Sequence, residues 1–99
     1  MPFVTTQPEA LAATAAGLAA VGASLSAENC AAAAPTTGVL APAADPVSGL
    51  TATQFAVHAQ IYQAISSQAE AIHQQLVSTL HDNASAYAVT EAANATAAR

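Results

Sequence analysis

The side chains that could do chemistry are few and widely spaced. His58, His73 and His81 stand fifteen and eight residues apart, so no pair has the i, i+4 spacing of a helical zinc site. Cys30 is the single cysteine and has no basic neighbour in sequence to stabilise a thiolate. These spacings predict neither a metal site nor a nucleophile–base pair. We therefore interpret the chain as a non-enzyme without a cofactor.

One pair of residues stands out near the end of the chain, in the stretch SAYAVTEAAN (85–94). Tyr87 and Glu91 are four positions apart, and residues at that spacing lie on the same face of a helix. They could present an aromatic ring and a carboxylate to a partner. The spacing alone favours a simpler interpretation, in which a weakly packed tail residue stands beside a solubilising acid.

The composition allows one domain with little core. Of the 99 residues, 54% are hydrophobic and 7% charged, but 30 are alanines and only about 20 are large apolar residues. A core of that size leaves the folding balance of a small chain near zero. We expect this chain to gain stability from a partner surface.

Charge and hydropathy exclude several kinds of partner. The net charge is −5 and Arg99 is the only basic residue, which argues against nucleic acid and against an anionic membrane surface. The N-terminus lacks a basic region followed by an uninterrupted apolar one, so no secretory signal is predicted. No run of about 20 large apolar residues suggests a bilayer-spanning helix.

The pattern predicts two long helices joined by a loop. In TTQPEAL (5–11), Thr6 and Glu9 have the spacing of a capping box and Pro8 falls in the first turn, which predicts a helix over about 7–33. Prolines and a glycine make 34–46 a connection, and Asp45 is the expected N-cap of a second helix over about 46–81. Residues 84–99 are predicted to be a flexible tail.

Helix two has more apolar surface than helix one can cover. Its large apolar residues spread over an arc of about 160° to 200°, where one neighbour needs about 100°. A second helical surface should therefore press against it. His58 and Gln54 lie on this arc, so we expect His58 to be a satisfied polar residue in a helix interface and Gln54 to fix the pairing register.

The residues predicted to form this interface are large and apolar, and the sequence does not sort those that close a hairpin from those that face a partner. They are Leu11, Leu18, Leu25, Phe55, Tyr62, Ile65, Ile72 and Leu76.

Three stretches, in this order and at this spacing, resemble the mycobacterial PE family over essentially the whole chain. They are MPFVTTQPEAL with Pro8-Glu9 at the head of the helix, the connection APTTGVLAPAADPVS, and Y-x-x-x-E at Tyr87 to Glu91, which is similar to that family's secretion motif. Pro2 departs from the serine common there, and the chain lacks the long extensions of some relatives.

The resemblance implies an all-α fold, a two-helix antiparallel hairpin that completes a four-helix bundle with a PPE-family protein. It implies a 1:1 heterodimer, assembled in the cytoplasm and exported to the cell surface or medium by a type VII secretion system that reads Tyr87 and Glu91. An EspG-type chaperone is expected to act indirectly, by holding the PPE partner. The domain would span 1–83 and the tail 84–99.

A second interpretation remains open, in which the amphipathic chain acts alone on a membrane or the cell envelope. Its polar face carries glutamine and serine in place of the lysine and arginine that are usual on surface-bound helices.

Overall fold

Two α-helices account for most of the described chain. The structure is a computed structural model that describes residues 4–99, so the first three residues of the predicted domain lie outside the described range. α1 runs over Pro8–Thr37 and α2 over Pro46–Ala97, and residues 4–99 contain no strand. The predicted all-α class is confirmed.

The start of α1 agrees with the sequence prediction in position but not in its capping. Pro8 is the first helical residue, where its missing N–H costs no hydrogen bond, and Glu9 lies in the first turn against the positive end of the helix dipole. The predicted capping box is wrong, because the backbone N–H and hydroxyl of Thr6 donate to Glu91. The first intrahelical bond runs from the Leu11 N–H to the Gln7 carbonyl at 3.1 Å.

The end of α1 lies beyond the predicted limit near residue 33. The helix continues through Pro35 to Thr37, although proline lacks the N–H that would bond one turn back. The hydroxyls of Thr36 and Thr37 donate to the carbonyls of Ala32 and Ala33 at 2.6 and 2.7 Å. The helix ends four residues later than its proline suggested, and these hydroxyl bonds accompany its last turn.

The start of α2 confirms Asp45 as the N-cap. Its carboxylate accepts from the Ser48 N–H at 2.9 Å and from the Ser48 hydroxyl at 2.7 Å, and Pro46 is the first helical residue. These bonds favour the ionised form, with the backbone bond from Ser48 the largest cause, so the pKa of Asp45 lies below its ordinary value of 3.8. The connection between the helices ends at this cap.

The predicted end of α2 near residue 81 is wrong, because the helix continues across Asp82 and Asn83 to Ala97. The alanines of this stretch have the highest helix propensity, which offsets the weak formers at 82 and 83. Ala84 is also buried, and Glu91 is held by Thr6. Tertiary contact therefore extends the helix past the last large apolar run.

The chain forms two compact units, and within each the helices run antiparallel. One unit comprises the described residues up to Gly22 together with His73–Arg99, and the other comprises Ala23–Ile72. In the first, Thr6 bonds Glu91 and the Leu18 carbonyl meets His73. In the second, the connection folds the chain back so that Asn29 meets residues 62–70. The predicted helical hairpin is confirmed.

Small and polar residues form the face by which α2 meets α1, which we call the seam. The buried and half-buried residues of α2 recur at alternating steps of three and four from Gly49 to Ala84, as in a coiled coil, and Glu91 follows after seven. They are Gly49, Ala52, Ala56, Ala59, Gln63, Ser66, Glu70, His73, Val77, Leu80, Ala84 and Glu91. Among residues 4–99 the buried hydrophobic side chains are all alanines, so the hairpin closes on small side chains.

Candidate functional site

A row of large apolar side chains follows α2 away from the seam, and we call it the outer stripe. Its members lie within about 80° of one another on a helical wheel, and roughly a third of a turn from the seam. Each is at least half exposed: Val47, Leu50, Ile61, Ile65, Ile72 and Leu76. The outer stripe is thus an exposed apolar face of α2, separate from the seam.

The structure divides the predicted interface residues between two environments. Leu11 and Leu18 are half-buried on the face of α1 that meets α2. Six others are exposed: Leu25, Phe55, Tyr62, Ile65, Ile72 and Leu76. Exposure of this many large apolar groups marks a surface suited to contact with another molecule.

An open groove of about 270 Å³ lies in the unit formed by residues 23–72. Phe55, His58 and Tyr62 of α2 supply its large side chains. Pro35 of α1 and Val39 of the connection also line the groove. His58 is exposed here. The prediction that His58 is a satisfied polar residue in a helix interface stays a prediction, because His58 is not covered by α1 and no partner helix is present.

A polar cluster around Asn29 sets the pairing of the helices in the same unit. Asn29 is 7% exposed, and its side-chain oxygen accepts from the Tyr62 hydroxyl at 2.8 Å. Its amide nitrogen donates to Glu70 Oε1 at 3.2 Å, and Gln63 Nε2 donates to the Asn29 carbonyl at 3.0 Å. Gln54, predicted to fix the register, is exposed, and the amides that meet between the helices are those of Asn29 on α1 and Gln63 in the seam.

The other unit contains a close approach between His73 and the backbone of α1. His73 Nε2 lies 2.6 Å from the Leu18 carbonyl oxygen, and because that oxygen can only accept, Nε2 carries the proton. A Cβ atom at Gly22 would lie 2.7 Å from His73 Cδ2. Glycine is thus required at this position for the imidazole to reach the helix backbone.

Tyr87 and Glu91 differ in how far they are held by the fold. The Tyr87 side chain is 47% exposed, whereas Glu91 is half-buried. Glu91 Oε1 accepts from the Thr6 hydroxyl at 2.8 Å and from the Thr6 N–H at 3.3 Å. The carboxylate of the pair is therefore tied to the residues that precede α1, while the ring one turn away is open to solvent.

Potential metal ligands are not clustered in the part of the chain that the structure describes. Within residues 4–99 no group of three or more His, Cys, Asp and Glu side chains is placed to hold a metal ion, and Cys30 is exposed. By length and composition alone, α1 is apolar enough to cross a membrane, a test that the core helix of a soluble protein also passes. Its apolar character comes mainly from alanine.

Sequence reasoning missed Asn29, Gln63, Glu70, His73 and Gly22 as contact residues. For Gln63, Glu70 and His73 the signal was present in the spacing of small and polar residues on α2, which follows steps of three and four. Weighting large apolar side chains alone concealed it.

Comparison with known proteins finds similar sequences that cover nearly the whole chain. The model of the PE family matches residues 4–94. The chain is 59% identical over 98 residues to PE family protein PE13 of Mycobacterium tuberculosis (strain ATCC 25618 / H37Rv), covering 99% of each. It is also 54% identical over 95 residues to PE-PGRS family protein PE_PGRS33 of M. tuberculosis (strain CDC 1551 / Oshkosh), of which it covers 20%, and 50% identical over 95 residues to PE-PGRS family protein PE_PGRS8 of strain H37Rv, of which it covers 54%.

Proposed function

The chain belongs to the PE family, and from this membership we propose that it is the non-enzymatic half of a 1:1 heterodimer with a PPE-family protein. In this assembly the hairpin supplies two helices of a four-helix bundle. The heterodimer forms in the cytoplasm and is exported by a type VII secretion system to the cell surface or medium.

The contrast between the alanine core and the outer stripe is the observation that carries this proposal. The buried hydrophobic residues among positions 4–99 are Ala15, Ala52, Ala59 and Ala84. Burying a large apolar side chain contributes about 1.5–3 kcal/mol relative to leaving it exposed, and the outer stripe forgoes that contribution in the lone hairpin. A helical partner laid along the stripe would recover it.

The direction of the outer stripe supports a bundle. A helix in a four-helix bundle has two neighbours, and α2 has two contact faces, the seam for α1 and the outer stripe for a further helix. Arg99 is the only basic residue of the chain, so the composition does not support binding of the outer stripe to an anionic surface. A partner helix with an apolar stripe of its own fits this surface.

Export would use Tyr87 and Glu91 as the signal read by the type VII machinery. Their support is the family resemblance together with their placement, one turn apart on the last part of α2 with Tyr87 exposed. The EspG-type chaperone would act indirectly, through the PPE partner. The PE-PGRS relatives extend well beyond the region that this chain matches, so nothing is carried over from their remaining length.

The test is co-expression with a candidate PPE-family protein, followed by size-exclusion chromatography with light scattering. We expect a soluble 1:1 complex. Export is then measured as protein in culture filtrate against cell lysate in a mycobacterial host. Tyr87→Ala should leave assembly intact and abolish export, with exposed Thr79→Ala as the matched control on α2. Normal export of the Tyr87→Ala, Glu91→Ala double variant would return the pair to the simpler interpretation.

A second candidate is action on a membrane or the cell envelope by the chain alone, favoured by the length and apolar composition of α1. Liposome flotation of the purified chain distinguishes the two. Flotation that persists after the PPE partner is added would support the membrane function, whereas flotation that disappears would support the heterodimer.

A further inference from the structure

Two segments from opposite ends of the sequence are joined by hydrogen bonds to one carboxylate, that of Glu91. Thr6 stands two residues before α1 begins at Pro8, and Glu91 lies near the end of α2, with 85 positions between them. The hydroxyl and the backbone N–H of Thr6 both donate to the same oxygen, Glu91 Oε1. Such a contact exists only when the hairpin is closed at this end.

The chemistry of the contact favours a fixed carboxylate. Two donors from one residue converge on this oxygen, the Thr6 hydroxyl at 2.8 Å and the Thr6 N–H at 3.3 Å, and both distances permit a hydrogen bond. The residues just before Pro8 are also at the positive end of the α1 dipole, which attracts a negative charge. Glu91 thus receives two donors and a favourable field from the same place.

We propose that Thr6 is a positioning residue of the export signal, which makes the signal a folded surface built from two chain segments and not a linear motif. The proposal rests on the proposed function, in which Tyr87 and Glu91 are read during export. Thr6 holds the Glu91 carboxylate one helical turn from the exposed Tyr87 ring. The receptor surface that fits this pair has an apolar recess for a phenol ring beside hydrogen-bond donors for a carboxylate.

Positioning matters because disorder raises the cost of recognition. Immobilising a side chain with several rotatable bonds costs about 0.5–1.5 kcal/mol at the moment of binding, and ordering a helix costs more. With Glu91 already held by Thr6, the receptor meets the pair in a restricted geometry. An unfolded or open hairpin would present the same residues without that restriction, so export would favour closed molecules.

The experiment compares Thr6→Val, which removes the hydroxyl but keeps the shape and the backbone N–H, with Thr6→Ser, which keeps the hydroxyl. Thr5→Val is the matched control, because Thr5 is exposed and adjacent. Each is co-expressed with the PPE partner in a mycobacterial host, and the ratio of filtrate to lysate is measured. We expect Thr6→Val to lower export about three- to tenfold, since one hydrogen bond is lost. Thr6→Ser and Thr5→Val should export as the unaltered chain does.

Hydrogen exchange on the purified heterodimer separates positioning from other roles. Thr6→Val should speed exchange in residues 84–97 alone, and Thr6→Ser should not. If export fell while exchange in 84–97 stayed unchanged, Thr6 would not act through Glu91 and the proposal would be overturned. Loss of the heterodimer in Thr6→Val would also overturn it, because the contact would then be part of the fold itself.

The failure of this inference can be told from failure of the proposed function. Export that is abolished by Tyr87→Ala and Glu91→Ala but unaffected by Thr6→Val would leave a linear signal and remove only the positioning role. Normal export of all three variants would remove the signal altogether.

Discussion

The seam and the outer stripe of α2 reverse the usual arrangement of a soluble helix. The seam is buried or half-buried and carries mainly small and polar residues, with Val77 and Leu80 as its large apolar members, while the outer stripe carries valine, leucine and isoleucine and is at least half exposed. Large apolar groups normally occupy the buried face. The difference teaches that the seam specifies how the hairpin closes, whereas most of the available apolar stabilisation is held on the side that faces away from it.

The largest effect should follow from shortening the outer stripe. Ile65→Ala and Leu76→Ala should each weaken the heterodimer by about 2–5 kcal/mol if the stripe becomes buried there, because truncation leaves a cavity. The exposed Gln74→Ala is the polar control and should change affinity by less than about 0.5 kcal/mol. Gln63 cannot serve as that control, since it donates to the Asn29 carbonyl. Isothermal titration or dissociation kinetics gives the affinities, and equal losses in both sets would place the partner elsewhere.

A smaller loss should come from the polar cluster in the seam. Asn29→Ala removes the acceptor of the Tyr62 hydroxyl and the donor to Glu70, and should lower the free energy of unfolding of the heterodimer by about 1–3 kcal/mol. Asn83→Ala, at an exposed position of α2, is the matched control. Thermal melts of both variants measure the difference. If Asn29→Ala melted like Asn83→Ala, the cluster would not fix the pairing of the helices.

The close approach at Gly22 allows a paired test with opposite signs. Gly22→Ala would bring a Cβ to 2.7 Å from the His73 ring and force the imidazole off the Leu18 carbonyl, so we expect a net loss of about 1 kcal/mol after the gain in helix propensity. Gly17 has no atom within 4 Å of such a Cβ. Gly17→Ala should therefore raise stability by about 0.5–1 kcal/mol. The melting temperatures of the two variants should move in opposite directions, and a shared direction would contradict the assigned contact.

The smallest effect belongs to the Asp45 cap, outside both surfaces. Because the folded-state pKa of Asp45 lies below its ordinary value of 3.8, its contribution to stability is present above that value and is lost as the pH falls through the lowered pKa. Asp45→Asn keeps a capping oxygen without the charge. Its melting temperature should fall slightly below that of the unaltered chain at pH 7, and the gap should close as the pH falls through the lowered pKa of Asp45. Asp82→Asn, at another exposed position, is the matched control.

The parts of the fold that local chemistry determines could be predicted from the sequence. Pro8 and Asp45 place the starts of both helices, since their effects act within one turn. The ends could not be placed, because Thr36 and Thr37 extend α1 past Pro35 and the contact of Glu91 with Thr6 accompanies the continuation of α2. Asp82-Asn83 is a local signal, and at the end of α2 the contact between Glu91 and Thr6, which are distant in sequence, outweighs it.

The apolar residues of the candidate site could be predicted from the sequence, but which face of α2 meets α1 and which stays exposed could not. The wide arc on helix two indicated an uncovered surface, and the exposure of Ile65, Ile72 and Leu76 agrees with it. Which face meets α1 depended on small residues that a hydrophobic wheel does not weight, such as Ala52 and Ala59. The polar residues of the seam, such as His73, could be recognised only because they lie on the same helical face as those alanines.

The central claim is that the outer stripe requires a partner for cooperative folding. It is tested most directly by differential scanning calorimetry of the purified chain alone and of its 1:1 complex with the PPE protein. We predict a broad, weak or concentration-dependent transition for the chain alone, and a single sharp transition for the complex. A sharp two-state melt of a lone monomer, with calorimetric and van't Hoff enthalpies equal, would contradict the claim.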